Sequence, residues 1–147
     1  MQHFVRRFVI AAALAMTVPP MALAGGGAPY VQVWGPHPDG LYAVHTYLSE
    51  NPGSLRVTAW AEGLVDGQRE TVPIRLKRMK EKGVYKFARS WPEHGTWALR
   101  MTVGNMGPHV PVTLAALDAK GTVKNSQLVW EGDGMKECVA ILNGKDI

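Results

Sequence analysis

The strongest constraint on the fold is strict alternation, seen most clearly in "TWALRMTV". Trp97, Leu99, Met101 and Val103 fall on one side of an extended chain, and Thr96, Ala98, Arg100 and Thr102 on the other. A period of two is the mark of a strand with one face turned to a core. The same pattern recurs along the chain between turn residues. It predicts strands at Tyr30–Trp34, Leu41–Leu48, Leu55–Ala61, a stretch carrying Val72, Ile74 and Leu76, Val84–Arg89, Val110–Leu117, Val123–Trp130 and Met135–Leu142. The separators "GPHPDG", "SENPG", "EGLVDGQRE", "KEKG", "GNMGPH", "DAKG" and "EGDG" are rich in Gly, Pro, Asp and Asn, which supply turn geometry. No stretch shows a useful three-four periodicity. The expectation is an all-β chain: a single immunoglobulin-like antiparallel β-sandwich of about eight to nine strands spanning residues 30–147.

The N-terminus reads differently. "MQHFVRRFVIAAALAMTVPPMALA" places Arg6 and Arg7 before an apolar run, Phe8 to Val18, and small residues at Ala22 and Ala24. This is the pattern of a cleavable secretory signal over residues 1–24, and its run is far shorter than the ~20 residues that cross a bilayer. The Arg6-Arg7 pair also raises twin-arginine export, although an ordinary basic n-region explains it. Residues 25–29, "GGGAP", form a flexible lead. The expected destination is periplasmic or secreted, with no transmembrane helix after cleavage.

Cleavage would remove Arg6 and Arg7 and no acids from a formal charge of +4, so the exported chain is only mildly basic and nothing in it calls for nucleic acid. A single cysteine, Cys138, excludes an internal disulfide. Its apolar setting, "ECVAIL", reads as a buried thiol.

The stretch "GVYKFARSWPEHGTWALRMTV" carries a further pattern through Gly83, Tyr85, Phe87, Pro92, Gly95, Trp97 and Leu99. It resembles the small exported immunoglobulin-like domains of the YtkA-like and FixH-like group, over Leu55 to Val103. The resemblance implies an envelope protein, in a group with members linked to copper handling or respiratory-oxidase assembly. A cleavable signal departs from the membrane-anchored members.

Candidate chemistry is sparse. There is no Gly-x-Ser-x-Gly elbow, phosphate-binding Gly-x-x-x-x-Gly-Lys or His-Glu-x-x-His, so the chain does not read as an enzyme. Strand parity places the loops of His37 and His94 at one pole of the sandwich, where His37, Asp39 and His94 could take zinc or copper(II). Met106 and His109 fall at the opposite pole and pair a thioether with an imidazole, a set suited to copper. An eight-residue strand is about 26 Å long, so the two sets cannot share an ion. The segment from Arg75 to Arg89 is strongly basic. Its Arg75, Lys77, Arg78, Lys80 and Lys82 would either bind an anionic partner or guard a sheet edge.

Two functional readings follow. One is a non-enzymatic binding or accessory module of the cell envelope, a monomer or weak oligomer with an envelope protein partner. The other is a periplasmic metal-binding protein, most plausibly for copper.

Overall fold

The computed structural model describes residues 28–47, 55–104 and 110–147. In chain order they form β1 (Tyr30–Trp34), β2 (Leu41–Tyr47), β3 (Val57–Val65), β4 (Gln68–Pro73), β5 (Lys77–Arg78), β6 (Val84–Ala88), β7 (Thr96–Val103), β8 (Pro111–Leu117), β9 (Val123–Trp130) and the helix α1 (Glu131–Leu142). Two antiparallel sheets, ordered β1-β2-β6-β5 and β4-β3-β7-β8-β9, pack face to face. The order matches the A-B-E-D and C′-C-F-G sheets of an immunoglobulin-like sandwich, with β9 added beyond the last strand.

Alternation decides which side chains meet between the sheets. Val31, Val33, Tyr42, Val44, Tyr85 and Phe87 come from one sheet, and Ala59, Ala61, Trp97, Leu99, Met101 and Val103 from the other. Burying each valine, leucine, methionine or phenylalanine of this set contributes about 1.5–3 kcal/mol. Tyr42 and Phe87 stack with centroids 4.8 Å apart. Trp97 lies directly across from Gly63, and a Cβ at that glycine would collide with the indole. The small residue is what lets the large one in.

Several boundaries differ from the sequence expectation. Glu62 to Val65 extend β3, and the only turn residues before β4 are Asp66 and Gly67, both at positive φ. That is the two-residue Asp-Gly hairpin whose twist matches its strands. The stretch of Val72, Ile74 and Leu76 is not one strand: β4 ends at Pro73, and the chain then passes to the other sheet as β5.

The largest correction is Met135–Leu142, which is helical rather than a strand. Gly134, Cys138, Ile141 and Leu142 are its buried positions, a spacing of four, three and one that only a helix puts on one side. The C-terminus closes through Gly144 at φ 94°, with Lys145 N donating to Ala140 O and Gly144 N to Ile141 O. Those two bonds make a Schellman motif.

Because α1 lies on the outer face of the larger sheet, the second face of β7 is covered as well. Ala98, Val112 and Leu114 pack with Cys138, Ile141 and Leu142 in a second core. Beside it, the buried Glu62 accepts from Arg100 Nε at 2.9 Å and from Thr71 Oγ1 at 2.6 Å. The Arg100 guanidinium also sits 4.2 Å from the Trp60 ring. In so enclosed a place the pair is held by its neighbours, and removing one charge is far worse than keeping both. Glu62→Ala is expected to lower unfolding free energy by about 3 kcal/mol, read from the urea midpoint. Thr71→Ala is expected to lower it by about 1 kcal/mol.

Candidate ligand-binding cleft

Strand β1 pairs with β2, yet it is also fastened to the opposite sheet. Val31 O accepts from Thr113 Oγ1 of β8 at 2.6 Å, and Gly35 O accepts from Val123 N of β9 at 2.8 Å. Backbone groups of an antiparallel strand alternate in direction, so the N–H and C=O of Val33 point to that same side. Strands β1 and β9 frame a gap that runs alongside the Gly35 tie and past it to His37. The gap is a cleft of about 520 Å³.

One wall is the end of β1 and the turn after it, with Gln32, Trp34 and His37; the other is Thr122 and the first part of β9, with Lys124, Asn125 and Ser126. The second wall owes its shape to two devices. In β9 the register slips between Ala116↔Asn125 and Leu117↔Val123, which leaves Lys124 as an extra residue without a partner on β8. Such a bulge re-aims a side chain that regular pairing would have fixed. Ahead of it, Asp118 Oδ1 accepts from the amides of Lys120 and Thr122, each at 2.8 Å. The Thr122 amide is the main reason the Asp118 carboxyl is held below its ordinary range. Tyr42 Oη donates to Gly121 O at 2.6 Å and ties this turn to the core.

Trp34 is 39% exposed and is steadied by ring contacts rather than by burial. It meets His45 edge-on at 5.1 Å and Tyr47 at 6.5 Å, and Tyr47 stacks on Tyr30 at 5.4 Å. An aromatic side chain with so few torsions offers contact area at little entropic cost.

Of the residues singled out from the sequence, His37 lines this cleft. Asp39 lies in the same β1–β2 turn, where its Oδ1 accepts from Leu41 N at 3.0 Å and its Oδ2 faces Lys86 Nζ at 3.4 Å. The Leu41 amide is the chief cause that lowers its carboxyl pKa, with Lys86 and His37 adding to it. The loop of His94 shares this pole, since Ala88 at the end of β6 pairs with Leu41 at the start of β2. His94 is exposed, and its carbonyl accepts from Trp97 Nε1 at 2.9 Å. Arg89 shapes the same loop by donating to the carbonyls of Trp91 and Pro92. Among the described residues, no group of three or more His, Cys, Asp and Glu side chains is arranged to hold a metal ion. Met106 and His109 lie outside the described residues.

Arg75, Lys77, Arg78, Lys80 and Lys82 are all exposed, and β5 is the edge of its sheet. Arg78 rests over the Tyr85 ring at 5.8 Å. A two-residue, lysine-bearing edge discourages pairing with another chain. Cys138 is a free cysteine, fully buried on the inward side of α1. Burial, with the Glu62 carboxylate adding, pushes its thiol up to about 11. A neutral, enclosed thiol is a poor nucleophile.

The cleft residues Gln32, Trp34, Thr122, Lys124, Asn125 and Ser126 were not singled out by sequence reasoning. One signal was present: Tyr30, Gln32 and Trp34 share the outward parity opposite Val31 and Val33, an odd place for a tryptophan. Comparison with family models, curated proteins and solved structures finds no match for the chain. Among the described residues, no helix is long and apolar enough to cross a membrane.

Three outcomes follow from these placements. Cys138 is expected to resist alkylation at pH 8 until urea unfolds the chain. Since its folded pKa lies above the ordinary 9.0, its contribution to stability is present below pH 9 and is lost as pH rises through about 11, a fall that Cys138→Ala removes. Replacing Lys77, Arg78 and Lys80 with threonine is expected to produce concentration-dependent association in sedimentation velocity.

Proposed function

We propose that this chain is an exported, non-catalytic binding module of the cell envelope whose ligand occupies the cleft between β1 and β9. The carrying observation is the cleft itself: about 520 Å³, walled by a braced tryptophan and a set of polar side chains. Ligand sites are concave, largely pre-formed and fitted with a few placed polar groups. The N-terminal signal pattern supports export. The resemblance to the YtkA-like and FixH-like group supports an envelope role by analogy of fold.

The β1–β2 and β8–β9 turns that frame the cleft are held by Asp39 and Asp118, each bonded to backbone amides. A site resting on such turns is formed before the ligand arrives, which lowers the ordering cost of binding.

The test is thermal unfolding of the chain without residues 1–24, in the presence of fractionated small-molecule extracts of the envelope. A ligand at a hundred times its dissociation constant stabilises by about 2.7 kcal/mol, a clear rise in Tm. The expected result is at least one fraction that raises Tm of the wild type but not of Trp34→Ala, with the ligand recovered chemically unchanged by mass spectrometry. An equal rise in Trp34→Ala would remove the cleft from the function. A chemically altered ligand would make the protein an enzyme.

A further inference from the structure

The geometry points to a carboxylate-bearing sugar, of one or two rings, as the ligand of the β1–β9 cleft. This rests on the binding-module reading above and names the chemistry of its ligand.

Length excludes the obvious alternative at a sheet edge, an added peptide strand. The ties at Val31 and Gly35 are four residues apart, so the open part of β1 is about 13 Å long at ~3.3 Å per residue. Strands usually run five or six residues, whereas between the ties only the backbone of Val33 faces the gap, although the cleft itself runs on past Gly35 to Pro36 and His37. A compact ligand fits it, and its volume lies within the small-molecule range.

Side-chain chemistry then narrows the class. Gln32 and Asn125 present amides that both donate and accept, Ser126 presents a hydroxyl that does the same, and Thr122, whose hydroxyl donates to Asp118, is left as an acceptor. An apolar ligand would strip water from these groups and return nothing, at a penalty for each. A polyhydroxylated ring matches them group for group. Its flat C–H face also needs an aromatic surface, and Trp34 supplies one at the cleft margin, held in place by His45 and Tyr47.

Charge gives the last step. Among the described residues, Lys124 and His37 are the titratable side chains lining the cleft, and no carboxylate lines it. Two acids stand in the adjoining turns, and both are engaged: Asp39 faces Lys86, and Asp118 accepts from the amides of Lys120 and Thr122. Lys124 is also the bulged residue of β9, placed apart from the regular strand. A lone ammonium among neutral donors suits one carboxylate. A phosphate, with more charge and more oxygens, is better matched by an arginine fork or a helix N-terminus added to a lysine, and among the described residues neither lines this cleft.

Isothermal titration of the chain lacking residues 1–24 tests this, using a glucuronate disaccharide, the matching glucose disaccharide and glucose 6-phosphate as probes. Near-ultraviolet circular dichroism of each variant checks that the exposed substitutions leave the fold intact. The expected result is that the wild type prefers the uronate to the neutral sugar by about tenfold, the effect of one partly exposed charge-assisted bond. Lys124→Gln should abolish that preference while retaining the neutral-sugar affinity, and Trp34→Ala should lose both sugars. Failure of both sugars with the wild type, a preference unchanged by Lys124→Gln, or tighter binding of the phosphate would overturn the assignment. If both sugars fail while an extract fraction still raises Tm through Trp34, only the ligand class falls. If neither probe nor fraction acts, the cleft itself is not the site.

Discussion

Strand β1 is held by both sheets at once, and the candidate site is a consequence of that double attachment. It belongs to one sheet through its ladder with β2, and to the other through Thr113 Oγ1 at Val31 and Val123 N at Gly35. Laddered to β2 on one side and fixed at only two points on the other, the strand leaves a gap on its β9 side. Most sandwiches leave such a lateral edge either open along its length or covered. Here the two ties leave a short cleft lined from Gln32 to His37 on one side and from Thr122 to Ser126 on the other, a size for a small ligand.

That arrangement needs a firm opposite wall. The middle of the larger sheet, β7 and β8, is buried on both faces, by the sandwich core on one side and by α1 on the other. Trp97 against Gly63 fixes the inner packing, while Glu62, Arg100 and Thr71 fix the outer. Strand β8 is therefore rigid, and β9 takes its position from it except at the bulge that frees Lys124. Rigid elements carrying the binding groups, with turns locked by Asp39 and Asp118, are what a pre-formed site requires.

The core was legible because its period is two and its turns are written in Gly, Pro, Asp and Asn. Trp97, Leu99, Met101 and Val103 point inward as their alternation predicts. The shared pole of His37 and His94 also emerged from counting strands, and the register of Leu41 with Ala88 bears it out. Helix α1 was not legible as a helix. Gly132 and Gly134 weaken its propensity, no side chain caps its N-terminus, and "CVAIL" mimics a buried strand. The stretch "LNGK", with Gly144 as a left-handed stop, is a helix-end signal that the strand reading passed over. The cleft was hidden for a different reason: it depends on β1 reaching across to β8 and β9, a contact more than eighty residues away in the chain. Periodicity records which face a residue takes and carries no information about such a crossing. The histidines drew attention by their chemistry, whereas the site's other groups are ordinary amides and hydroxyls.

The most direct measurement is amide and indole chemical-shift mapping of the ¹⁵N-labelled chain during titration with the glucuronate disaccharide. The expected result is saturable shifts of the Trp34 indole N–H and of the backbone amides of Val33, Lys124, Asn125 and Ser126, with α1 unmoved. Shifts centred on the β5–β6 edge or on α1, or no saturable shift, would contradict a ligand site between β1 and β9.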